Sequence, residues 1–366
     1  FFTQHFYHAW LGVVLLCGWW ELLMWKTKRT FRITDRWIVL TLIPIVILLL
    51  ADMCLGYWLY AIKLRGYFFV ATIGTTAVVG MLWAFRSLPQ KLLYRGLLML
   101  LTAVAGYPLM GAYALAAVLL MGVFTWRLSG RKTQNAILTL IALLSIVAIP
   151  LIHYRLVYNQ TNIADLWTTA LPVFAMRETH PVYYVPYYLL AAFFLILTVT
   201  YRQEWAVKRL APYKYWASQA LLLAVMAGCT WHFWYKDKNF HRELAMECCV
   251  EQCDWEGVIS EGKKQDGEPT RAIVMLHNLA LNRLGRQLDE MYNFPKGSKK
   301  PNTPLPIYMY HIAGRLIYYQ YGMLNDCHRI CMEEGVEYGW RPELLQYMAR
   351  CSILMKEDQA ARKFLD

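Results

Sequence analysis

The sequence predicts an all-α protein in two parts: a polytopic transmembrane helical bundle over residues 1–235, then a soluble α-solenoid of tetratricopeptide-like helix pairs over 236–366. Three observations predict it. Apolar residues make up 58% of the 366-residue chain and charged residues only 17%, against about 25% charged in an average soluble domain. The apolar residues fall in blocks of membrane-crossing length, the last at 215–235. Charge then changes at that point: residues 1–235 carry 19 Lys/Arg against 6 Asp/Glu, and residues 236–366 carry 18 against 19. The basic excess belongs to the apolar half, as topology signals do. A bilayer is therefore the expected partner, and no nucleic acid is.

Eight blocks recur, at about 8–25, 37–53, 67–85, 92–107, 110–126, 136–152, 184–200 and 215–235. Some twenty apolar residues cross a ~30 Å hydrocarbon core as a helix. The first, third, fifth and seventh linkers hold Lys26, Lys28, Arg29, Arg32 and Arg36; Arg86, Lys91 and Arg95; Arg127, Arg131 and Lys132; and Arg202, Lys208, Arg209 and Lys214. The intervening linkers hold only Lys63, Arg65, Arg155 and Arg177. Fifteen cations against four put the first set in the cytoplasm and everything after Tyr235 outside. The chain reads as a fragment open at both ends, with at least one earlier span before Phe1.

Two spans must share residues 92–126 around the break Gly106-Tyr107-Pro108-Leu109-Met110-Gly111. This predicts a hairpin of short helices or a re-entrant pair, with neighbouring protein covering the backbone groups the break releases. Trp and Tyr at block ends, among them Trp19, Trp25, Trp37, Trp126 and Trp231, fit interfacial belts. The loop 153–183 is polar, aromatic and too long for a simple turn, which marks it as a functional segment.

Beyond Tyr235 the apolar spacing becomes that of soluble helices: 243–264, 270–294, 307–339 and 342–365, broken at Asp254-Trp255, near Gly285 and in a Pro/Gly/Lys loop at 295–306. Helix, short turn, helix with a period in the mid-thirties is the helical-repeat signature.

Candidate chemistry is sparse. Asp52 ends the run LIPIVILLLAD at the outer face and is a weak catalytic candidate, as base or metal ligand; a snorkelling carboxylate paired with Lys63 or Arg65 is the simpler reading. Glu21 reads as structural. In the 153–183 loop, Glu178 is the second weak catalytic candidate, and His153, Arg155, Arg177 and His180 are candidates for holding a lipid pyrophosphate. Ordinary loop polarity accounts for the same residues. Of nine cysteines, Cys249/Cys253 and Cys327/Cys331 have i, i+4 spacing. Small core positions of helical repeats are the first reading of these, a disulfide the second. No pattern of metal ligands, Walker loop, GxGxxG, HExxH or GxSxG occurs, so no metal or cofactor is expected.

The stretches FFTQHFYHAWLG, GYPLMGAYAL and NLALNRLGRQLDEMY resemble an uncharacterised, Bacteroidales-type family of multi-span inner-membrane proteins, a domain of unknown function with a helical-repeat tail. The resemblance covers most of the chain and departs at Ala9, where the family pattern has Pro. It implies a location and an architecture, with no activity attached. At the level of architecture the chain is also similar to polytopic glycosyltransferases that use polyprenyl-phosphate sugars. Those keep an essential acid in a first outside loop, which here precedes residue 1. The favoured reading is thus a membrane-anchored scaffold binding a periplasmic protein through its repeats. The alternative is a glycosyltransferase acting on a lipid-linked sugar. A transporter is disfavoured, because no span carries a charge at its centre.

Overall fold

Helix ends fall where the sequence supplies prolines, glycines and capping side chains. The computed structural model describes residues 9–64, 69–157, 162–174, 181–201, 212–297 and 313–365. Among these every regular element is helical. They group into two units. The first comprises residues 9–54, 69–174, 181–201 and 212–234 as far as described; the second takes residues 55–64 together with 235–297 and 313–365.

The first unit contains α1 (Ala9–Phe31), a 3-10 turn (Asp35–Leu42) leading into α2 (Ile43–Met53), and, after α3 (Trp58–Leu64) of the second unit, α4 (Val70–Ser87). It continues with α5 (Leu92–Val104), the short α6 (Gly106–Met110), α7 (Ala112–Leu128), α8 (Lys132–Leu156), α9 (Val185–Val199) and α10 (Pro212–Phe233). Four helical segments are long and apolar enough to cross a membrane: Asp35–Met53, Val70–Ser87, Lys132–Leu156 and Pro181–Val199. Helices α5 and α7, with 13 and 17 residues, are apolar but shorter. Helices α1 and α10 are 23 and 22 residues long. Polar side chains interrupt them, Glu21 and Lys26 in one and Gln219 and His232 in the other.

The core of this unit is an apolar column from α1, α4, α7, α8 and α9, with Leu23, Leu82, Met121, Leu138 and Phe194 buried. Phe31 meets Phe124 and Phe194 with ring centroids 5.9 and 6.2 Å apart, and Phe124 meets Tyr201 edge-on at 4.8 Å. Aromatic pairs of this geometry add about 0.5–1.5 kcal/mol beyond the area they bury. The 106–111 break is covered, as expected from the cost of releasing backbone groups among apolar helices. Ala112 donates its N–H to the Thr169 carbonyl at 2.8 Å, and the Tyr107 hydroxyl donates to the Leu166 carbonyl at 2.8 Å. Residues 162–174 thereby pack back onto the bundle.

In the second unit, α11 (Lys238–Glu251), α12 (Trp255–Lys263), α13 (Arg271–Arg283) and α14 (Gln287–Glu290) follow one another through short turns, as do α15 (Arg315–Gln320), α16 (Leu324–Tyr338), α17 (Pro342–Leu354) and α18 (Asp358–Leu365). Three of them are capped by side chains: Asp237 accepts from Asn239 and Phe240, Asp254 from Gly257, and Thr270 from Ile273. Such caps satisfy first-turn donors that water or nothing else would reach. Met246, Val250, Ile259, Ile273, Leu276 and Leu281 form one core. Cys327, Cys331 and Cys351 form another with Leu344 and Met348, the role expected of small residues in stacked helices. The other i, i+4 pair, Cys249/Cys253, behaves differently. Helix α11 ends at Glu251, so Cys253 lies in the following turn at φ +57° and does not continue the face of Cys249.

His277 is buried and stacks on Phe294, with ring centroids 3.9 Å apart. Both its ring nitrogens lack partners among the described residues. Burial, helped by Lys263, lowers its pKa from the ordinary 6.5 to about 4. Between those values the unfolded chain binds a proton that the folded chain refuses. Stability is therefore full above pH 6.5 and falls as pH drops toward 4, by up to about 3 kcal/mol. His277→Phe keeps the stack and has no proton to bind. It is expected to abolish this acid-side loss, read as the unfolding midpoint against pH between 4 and 7. An unchanged acid limb in the variant would assign the loss to another group.

Candidate functional site

Asp52 sits on the last turn of α2. That helix packs against α9, which carries Tyr187, and α9 packs against α7, whose first turn carries Tyr113. Asp52 is half-buried and close enough to both tyrosines to act on them electrostatically. The Tyr113 hydroxyl is buried and makes no hydrogen bond among the described residues. Its ring lies directly over Gly74 of α4, where any Cβ would overlap it. A glycine at 74 is thus what lets Tyr113 enter the bundle. One carboxylate and two phenols make a small polar niche in an otherwise apolar end of the bundle, able to hold a hydroxyl-bearing ligand or pass a proton.

The sequence constellation is divided. His153, on the last turn of α8, lies against the Tyr107 ring at 5.5 Å. Arg155 is exposed. Arg177, Glu178 and His180 lie outside the described residues, as does Arg65, one of the two proposed partners of Asp52, and nothing is described of the Lys63 side chain. Tyr113 and Tyr187 carried no signal in the sequence, since tyrosine at block ends reads as interface. Around the niche, Phe174 stacks on Tyr183 at 5.3 Å and donates its N–H to the Tyr184 hydroxyl at 3.0 Å. These contacts fix the end of the 162–174 segment to the start of α9.

The second unit has a polar centre of its own. Glu243 of α11 is buried; its Oε1 accepts from the Tyr57 hydroxyl at 3.2 Å and from the Thr270 hydroxyl, while Oε2 has no partner among the described residues. Tyr60 donates to Glu247 at 3.1 Å. Phe240 packs edge-on against Tyr57, Tyr60 and Tyr235 at 5.0, 6.1 and 5.5 Å. Residues 55–64 are thereby held on α11 by two tyrosine–glutamate bonds and an aromatic cluster. Burial raises the Glu243 pKa from 4.5 to about 7, opposed by its two hydrogen bonds and helped by Asp237. The same burial and the neighbouring carboxylate push the Tyr57 phenol up.

A sequence profile for DUF6057, a family of unknown function, matches residues 1–366. The chain belongs to DUF6057. No curated protein matches it, and no solved structure does. This DUF6057 chain carries two polar centres, the Asp52 niche in one unit and the Glu243 centre in the other.

Proposed function

We propose that this DUF6057 protein is a multi-pass bacterial inner-membrane protein whose tetratricopeptide-like C-terminal helices lie in the periplasm and bind a protein partner, making it a membrane-anchored scaffold. The observation that carries this reading is the second unit: two runs of short helices, α11–α14 and α15–α18, each helix packed on the next within its run, leave large apolar side chains in water. Val336, Trp340, Ile353 and Leu354 are all exposed on or beside α16 and α17. Helical arrays bind through such surfaces. The fifteen-to-four distribution of linker cations supports the orientation. A phosphatase reporter fused after residue 240 is expected to be active, and an inactive phosphatase there with a cytoplasmic reporter active at the same point would sink the orientation and the periplasmic partner together. Trp340→Asp with Val336→Asp is expected to weaken capture of the partner tenfold or more, about 1.4 kcal/mol or greater.

A second reading, a glycosyltransferase using a polyprenyl-phosphate-linked sugar, is favoured by the Asp52–Tyr113–Tyr187 niche. In it Asp52 takes the proton of an acceptor hydroxyl, and Arg155, Arg177, His153 and His180 hold the lipid phosphate, with Glu178 as the alternative base. Asp52→Asn is expected to reduce sugar transfer by ~100-fold or more, as loss of a general base does, with unchanged expression and thermal midpoint. Full activity in that variant removes Asp52 from the chemistry, and full partner capture alongside it leaves the scaffold.

A further inference from the structure

Arg95 is 1% exposed, and its Nε and Nη1 have no hydrogen-bond partner among the described residues. Its guanidinium lies over the Phe85 ring at 5.3 Å. A ring face offsets part of the charge but accepts none of the N–H groups. A buried cation without a counter-charge costs several kcal/mol. Among the described residues no carboxylate pairs with it: residues 53–164 contain no Asp or Glu, and the helices packed most closely on α5 come from that stretch.

The position of Arg95 adds a second observation. It lies in the first turn of α5, and helical side chains lean back toward the N-terminus of their own helix. That end and the start of α8 are tied together: the Gln90 side chain donates to the Leu128 carbonyl at 3.0 Å, and Gln134 donates to the Gln90 carbonyl at 3.1 Å. Both helices begin without a side-chain cap, at Lys91 and Arg131. Two sets of first-turn N–H groups with their positive dipole ends therefore open at one place. Lys91, Arg131 and Lys132 stand exposed around it and Arg127 is half-buried.

We propose that this end of the first unit, where the turns 88–91 and 129–131 meet, is a phosphate-binding site centred on Arg95, its ligand the phosphate of an anionic membrane lipid. Unpaired backbone N–H groups at helix starts and a guanidinium with free donors are the groups that recognise phosphate oxygens. Burial of Arg95 then follows, since the bound phosphate supplies the missing charge. The lipid as the source rests on the membrane reading above; the phosphate chemistry does not.

The test uses the full chain, stripped of lipid in detergent or placed in nanodiscs of phosphatidylcholine with or without phosphatidylglycerol. Phosphatidylglycerol is expected to raise the thermal midpoint of the native chain. Arg95→Met, which keeps the length of the stem and removes the donors, is expected to weaken the lipid's apparent affinity ~10- to 100-fold, as loss of charge-assisted hydrogen bonds does. Lys91→Ala with Arg131→Ala, both exposed and outside the packing, is expected to act in the same direction. Inorganic phosphate in detergent is the second arm. Protection by phosphate but not by phosphatidylglycerol, lost in both variants, keeps the site and assigns it a soluble phosphate. That arm reads the site whether or not the helices cross a bilayer. Equal responses in the native chain and both variants, or no response to either probe, would overturn the proposal.

Discussion

Replacing Glu243 by glutamine is expected to flatten the pH dependence of the second unit's stability and to stabilise it above pH 7 by about 2–3 kcal/mol. Glu243 is 1% exposed, and burial raises its pKa from 4.5 to about 7. The folded chain therefore binds a proton that the unfolded chain releases. The carboxyl's contribution is fully present below pH 4.5 and is lost as pH rises through about 7. Glutamine stays neutral throughout, and its carbonyl can accept from Tyr57 and Thr270 as Oε1 does. Alanine is the contrasting substitution: it strands both hydroxyls in the core and is expected to cost about 2–4 kcal/mol at every pH. Hydrogen exchange of the Lys238–Glu251 and Arg271–Arg283 amides, corrected for intrinsic rates, reads this locally. A Glu243→Gln chain that still loses protection between pH 5 and 8 would place the titrating group elsewhere. Glu243 and His277 act in opposite directions, one limiting stability on the alkaline side and the other on the acid side.

Gly111→Ala is expected to destabilise the first unit by about 3–5 kcal/mol. Gly111 holds φ 51° and ψ −125°, a region that side-chain-bearing residues avoid. A Cβ there would also overlap the Thr169 carbonyl oxygen, the acceptor that receives the Ala112 N–H. The strain can be relieved only by moving residues 162–174 off the α6–α7 turn. The variant should thus show raised proteolysis or exchange at 162–174 together with a lowered midpoint. Gly80→Ala is the control: it lies within α4 with open space around its Cα, and helix propensity predicts no loss or a gain of up to about 1 kcal/mol. If both glycine variants melt alike, the contact between Gly111 and Thr169 has no structural weight.

Much of the helical organisation was legible in the chain. The breaks at Gly106–Gly111 and near Gly285 and the start after Asp254 all mark helix ends, because proline, positive-φ glycine and capping side chains act locally. Apolar block length predicted eight crossings, whereas four described helical segments are long and apolar enough to cross a membrane and 92–104 and 112–128 are shorter. The sites were less legible. Asp52 stood out as an acid at the end of an apolar run, but its neighbours Tyr113 and Tyr187 come from helices about 60 and 135 positions further on. Arg95 read as one linker cation among fifteen, and its burial depends on Phe85 and on helix α8 packing over it.

By itself the sequence determined which stretches are helical, where they stop, and that a basic, apolar half precedes a charge-balanced one. Those properties follow from neighbouring residues and from local solvation, so they need no tertiary contact. Tertiary structure alone decided that residues 55–64 pack with α11, that Tyr113 enters the bundle over Gly74, and that Glu243, His277 and Arg95 lose their water. Desolvation is set by what lies within a few ångströms in space, and a single chain of letters does not carry that distance.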